Sequence, residues 1–168
     1  MMSKSMKVAV ALAAAMSLSA ASAQAQSANI NALANVFQAI TVTGAANLQF
    51  GNVFPGVNKT VDASTNANSG RFDLTGQASQ NLALTFTLPT NLDDGATHLL
   101  PIATWTGCLA NTASQAGCAS FTPSAGATNT TFSGASAKSV YVGATVSPAA
   151  AQVAGSYLGT VTLTAAYF

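Results

Sequence analysis

Two stretches of this chain keep a two-residue beat that a helix would scatter around its circumference. In "NLALTFTLP", Leu82, Leu84, Phe86 and Leu88 share one side while Ala83, Thr85 and Thr87 share the other. In "GSYLGTVTLTAAYF", Tyr157, Gly159, Val161, Leu163, Ala165 and Tyr167 alternate with Ser156, Leu158, Thr160, Thr162, Thr164, Ala166 and Phe168. Such alternation predicts half-buried strands, the second running unbroken from Gly155 to Phe168. Shorter runs repeat the pattern: "VFQAITVTG" from Val36, "GRFDLTG", "HLLPIATW" and "KSVYVGATV". Glycine, proline, asparagine and aspartate punctuate them, and Pro101 points to an edge or a bulge. The stretch from Ser120 to Ser136 has little pattern. Short strands at even spacing without a long helical period predict an all-β fold, an antiparallel β-sandwich.

The first residues speak to compartment. Lys4 and Lys7 precede the apolar run "VAVALAAAMSL", and small residues follow with Ala-x-Ala cleavage sites after Ala23 and Ala25. The run is too short for a bilayer core of about 30 Å, so residues 1–25 read as a secretory signal peptide. No later stretch has the length for an integral membrane span, and the mature protein is expected to be exported. Cys108 and Cys118, in "CLANTASQAGC", then default to a structural disulfide, because their spacing is not C-x-x-C and no histidine lies near.

Few side chains remain for chemistry. The mature part holds three cations, Lys59, Arg71 and Lys138, against four carboxylates, Asp62, Asp73, Asp93 and Asp94, and no glutamate. Nucleic-acid binding needs clustered cations, which this chain lacks. The single histidine, His98, has neither metal-ligand partners nor a positioned nucleophile beside it. Asp93 and Asp94 read as turn residues before Gly95. There is no phosphate loop and no nucleophile elbow. The expectation is therefore no enzyme, no catalytic residue, no metal and no cofactor. Trp105 reads as core, with a sugar-stacking platform as the rival.

Ahead of the first strand lies "SANINALANV", residues Ser27 to Val36. Ala28, Ile30, Ala32, Ala34 and Val36 fall on one parity, and Asn29, Asn31 and Asn35 on the other. Repeated asparagine disfavours a helix, although Ile30, Leu33 and Phe37 also match helical spacing. This one-sided strip is either the first strand of its own sheet or an arm that completes another sheet by strand addition. The expected organisation is a signal peptide over 1–25, an N-terminal extension over 26–36 and a sandwich domain over 37–168.

The carboxyl-terminal residues resemble the β-zipper of chaperone–usher pilins. Gly155 is the fourteenth residue from the end, Tyr167 is a penultimate aromatic, and alternating apolar residues separate them. The body, with "AITVTGAANLQFG", "VYVGATV" and "GSYLGTVTLTAAY", is also similar to a bacterial family of domains of unknown function related in style to spore coat protein U domains. The pilin resemblance implies an immunoglobulin-like sandwich that lacks its last strand. It implies that Gly155, Tyr157, Val161, Leu163, Ala165, Tyr167 and Phe168 form a zipper strand for a periplasmic chaperone. The chaperone holds the terminal carboxylate with basic side chains, so a chain stopping at Phe168 suits that grip. At an outer-membrane usher, the next subunit's arm (Ala28, Ile30, Ala32, Ala34 and Val36) replaces the chaperone strand and builds a homopolymer. The implied setting is the surface of a Gram-negative bacterium, and the implied role is a fimbria for adhesion or biofilm. From the residues alone, two alternatives stay open: a self-complete secreted or surface sandwich, and a carbohydrate-binding module.

Overall fold

The structure is a computed structural model, and it describes residues 26–168. The signal-peptide expectation for 1–25 lies outside the described residues. The chain divides into two units, Met1–Asn35 and Val36–Phe168. Residues 26–35 form neither helix nor strand, and all are exposed.

The second unit is an antiparallel β-sandwich, and no helix forms among the described residues. Its strands are β1 (Thr41–Ala46), β2 (Lys59–Val61), β3 (Gly70–Thr75), β4 (Asn81–Thr87) and β5 (Asn91–Asp93), then β6 (Leu99–Ala110), β7 (Ala119–Phe121), β8 (Thr128–Thr131), β9 (Ala137–Val146) and β10 (Thr162–Tyr167). The larger sheet runs β1-β3-β9-β6-β5, with β2 added on β9 and β7 on β6. The smaller sheet runs β10-β4-β8.

The period-two pattern explains the layers. Leu82, Leu84 and Phe86 of β4 turn inward, together with Leu163 of β10. They meet Leu74 of β3 and Val140 and Val142 of β9, and Phe132 closes the cluster. Each of these side chains removed from water contributes about 1.5–3 kcal/mol. β9 sits between β3, β2 and β6, and eight of its ten residues are buried, so both faces of this strand are covered. Its even-numbered residues supply the inter-sheet core, while Tyr141 looks the other way, into a small cluster with Ala63, Cys108 and Ala110.

That outer face is sealed by two loops. The Cys108–Cys118 disulfide is formed, with Cα atoms 5.5 Å apart. Its loop carries Gln115, whose Nε2 donates to the Ala63 and Asn66 carbonyls and to Ser69 Oγ at 2.8–3.0 Å. The end of β2 and the 62–69 loop lie so close to β9 that a Cβ on Gly143 would overlap the Val61 carbonyl and lie 2.7 Å from both Ala63 N and Thr106 Oγ1. Opposite Gly143, β6 bulges between Ala103 and Thr106. Pro101, expected at an edge or bulge, instead lies inside β6 opposite Asn91, two residues before the irregularity.

Three expectations need correction. β1 begins at Thr41 rather than Val36, and the patternless Ser120–Ser136 region holds most of β7 and all of β8. The predicted strand from Gly155 to Phe168 is divided: only Thr162–Tyr167 pairs with β4. Upstream, Leu158 pairs with Asp93 of β5, in the other sheet. The partner chain is itself broken there, because Pro89 has no N–H to give to a ladder. Gly159 makes the matching bend, since a Cβ would stand 2.6 Å from Leu92 Cδ2 and 3.4 Å from Pro89 Cγ.

Two outcomes are expected. Gly143→Val should destabilise the domain by about 2 kcal/mol or more through overpacking, read as a lowered denaturant midpoint. Cys108→Ser with Cys118→Ser should cost about 3 kcal/mol by loop entropy, measured the same way.

Candidate functional site

The edge strands of the two sheets, β1 and β10, lie on one flank of the sandwich and approach each other there. β10 pairs with β4 alone, and β1 pairs with β3 alone. Each therefore keeps one row of backbone N–H and C=O groups without a strand partner among the described residues. All six residues of β1 are exposed. In β10, Leu163 is buried and Ala165 and Tyr167 are half-buried, whereas Thr162, Thr164 and Ala166 face solvent. The zipper positions of β10 thus lie on its inward face, while Phe168, just past the strand, is 66% exposed.

At one end the flank is clasped. The Tyr167 hydroxyl donates to the Gln38 carbonyl and accepts from Gln77 N–H, both at 2.7 Å. Its ring lies 5.8 Å from Phe37 and 6.4 Å from Phe132. Gly76 makes room, because a Cβ there would sit 2.5 Å from both the hydroxyl and Phe132. A single phenol therefore ties the turn after β3 to the segment before β1.

At the other end the flank opens into a cavity of about 1150 Å³. Its floor is sheet, including Val142, Leu100 and Ile102; its walls are irregular chain. Leu100, Ile102, Ala144 and Val146 form a second core cluster, covered by the partly buried Leu48, Phe50, Val53, Trp105 and Tyr157. Trp105 is half-buried, packs against this cluster and lines the cavity. One wall is the loop after β1, tied to the rest of the domain by few backbone hydrogen bonds: Gln49 N–H to Asn68 O, and Gly56 N–H to the Pro148 and Ala149 carbonyls. The other is the strap from Gly155 to Val161, fixed by the reciprocal Leu158–Asp93 backbone pair at 2.8 Å. Tyr157 anchors the strap by donating to the Val153 carbonyl and accepting from Gln152. Gly155 is exposed beside Asp94, Tyr157 and Val161 are half-buried, and Leu158 is 79% exposed.

The candidate donor residues are accessible. Ala28, Ala32 and Ala34 are exposed, and Ile30, Leu33 and Val36 are each more than 90% exposed. No element of secondary structure includes them.

The polar residues form structural pairs. Asp94 accepts from the Ala96 and His98 amides and bonds His98 Nδ1 at 2.6 Å. The Ala96 amide and the His98 contacts hold the Asp94 carboxyl below its ordinary value. Asp93 caps Gly95 N–H, as its turn position predicts. Asp62 is likewise held low, chiefly by the Ser64 hydroxyl and amide. No group of His, Cys, Asp or Glu suited to a metal occurs among the described residues. No described helix is long and apolar enough to cross a membrane. The closed disulfide is the chemistry of an oxidising, extracytoplasmic compartment. The chain defines an all-β, disulfide-bonded sandwich with an open flank. No protein-family model and no curated protein matches it.

Sequence reasoning missed the Tyr167 clasp, since a phenol reaching 90 and 129 positions away leaves no local signal. It also missed the strap, whose alternation continues through the bend. Tyr167→Phe should cost about 1 kcal/mol, because the part-buried amide of Gln77 and the Gln38 carbonyl lose their shared partner. Thermal unfolding at neutral pH checks this, and an unchanged midpoint would contradict the clasp.

Proposed function

We propose that this protein is a structural subunit of an extracellular fimbria, assembled by donor-strand exchange and serving attachment or biofilm. The observation that carries the reading is the flank itself. An edge strand with one neighbour, β10, stands beside a cavity with an apolar floor whose cover is loop and strap rather than strand. The same chain has an exposed strip, Ala28 to Val36, with apolar residues on alternate positions. An added strand satisfies the free backbone row and lets alternate side chains fill the cavity.

Magnitudes favour exchange between copies. Burying two or three good apolar side chains gains about 4–8 kcal/mol. A domain's whole stability is about 5–15 kcal/mol. A sandwich without that strand is marginal and sticky at its edge; one filled by a neighbour is durable. A head-to-tail contact that does not close into a ring yields a filament. The low charge of the chain suits close packing of copies. In this reading a periplasmic chaperone fills the flank first, an outer-membrane usher exchanges it, and the Gram-negative cell surface carries the homopolymer.

Deleting Ala28–Val36, with export and its partners intact, should abolish heat-resistant multimers on a denaturing gel. A synthetic Ala28–Val36 peptide should bind the deleted protein and raise its melting temperature. Multimers that persist after deletion would overturn the proposal. A self-complete surface sandwich is the second reading, favoured by the roof that Leu48, Phe50, Val53 and Tyr157 already place over the second cluster. It predicts that the mature chain melts cooperatively as a monomer and ignores the peptide.

A further inference from the structure

Lys138, the second residue of β9, has the same parity as Val140 and Val142, so its aliphatic stem lies on the inter-sheet side. It is only 7% exposed, yet its amine has one side-chain partner, Asn111 Oδ1, at 3.0 Å. The chain has no glutamate, and each of its four aspartates is engaged elsewhere. Asp62 bonds Ser64, Asp73 bonds Arg71 and Ser139, Asp93 caps Gly95, and Asp94 bonds His98. Lys138 is thus a buried cation without a carboxylate, an arrangement that costs stability unless a counter-charge arrives from outside. Burial alone pushes its amine below the ordinary lysine value.

Beside it is space for that counter-charge. Lys138 and Asn111 line a cavity of about 350 Å³, separate from the open flank, with Thr112, Thr130, Leu109 and Gly117. One ammonium, a carboxamide and two threonines are donors suited to the oxygens of a carboxylate and of neighbouring hydroxyls. Apart from Leu109, the other wall residues are alanine and glycine, which leaves room for a compact polar molecule.

We propose that this cavity is a binding site for a carboxylate carried on a small polar molecule, with Lys138 as the charged anchor. The site is independent of the strand-exchange reading. The carboxylate has two sources, a simple organic acid or an acidic sugar, and both offer the same group to the amine.

The mature, disulfide-bonded protein is titrated with sodium acetate, sodium glucuronate and, as an uncharged control, glucose. Sodium chloride holds ionic strength constant. Expected is a saturable rise in melting temperature of about 3 °C or more with at least one acid and none with glucose. A larger response to glucuronate assigns the sugar acid; an equal response assigns the simple acid. Lys138→Met keeps the stem and should abolish the response. Equal melting in all solutions, or the same response in Lys138→Met, would overturn the proposal. If Lys138→Met does not fold, wild-type amide resonances decide. Shifts concentrated at Asn111, Thr112 and Thr130 support the site, and shifts spread over the surface refute it.

Discussion

Everything in the domain is arranged around one strand that is shielded from water along most of its length. β9 pairs with three other strands, and its two faces sit under two different covers. Toward the smaller sheet, Val140 and Val142 need apolar partners from β4 and β10. On the opposite face, Tyr141 and Gly143 need a cover that their own sheet cannot provide, so the 62–69 and disulfide loops are drawn across. Burial on both sides explains why its sequence mixes valines with small residues: the valines fill space, and Gly143 leaves space for a crossing backbone.

The flank between β1 and β10 is what this arrangement leaves unfinished. The smaller sheet has three strands, too few to cover the larger sheet completely. Where β10 ends its pairing, the remaining apolar floor is met by side chains from irregular segments, Leu48, Phe50 and Val53 on one side and Tyr157 on the other. Such segments cover apolar surface without offering the continuous hydrogen-bonded ladder of a strand. They also yield more readily to an incoming chain, because few backbone bonds hold them. The proposed strand exchange therefore rests on a difference between two kinds of cover.

Much of this was legible in the residues. β4, β3 and β9 follow from period-two patterns between turn residues, and the Asp93–Asp94–Gly95 turn follows from aspartate and glycine chemistry. The Cys108–Cys118 bridge follows from compartment and spacing. The weak strands β2, β7 and β8 were not legible, since three or four residues of little apolar contrast carry no period and their pairing is settled by neighbours. The divided end of the chain shows a subtler limit. Tyr157, Val161 and Leu163 share one parity, and all three are at least partly buried, so the alternation is true of the faces. It says nothing about which sheet receives each half; Pro89 decides that from the facing segment. The site was legible as an alternating end, and the cavity was not, because its lining comes from six separate stretches of the chain.

The clasp at Tyr167 carries a consequence for how the protein is made. The hydroxyl reaches Gln77 and Gln38, and Gln115 reaches back 46 to 52 positions to fasten the 62–69 loop. Early segments thus wait for late ones. A chain made from its amino terminus cannot close this clasp until Tyr167 is available, so the last fastening contacts form only once the whole domain is present. Until then the segment before β1 and the turn after β3 lack the contact that joins them.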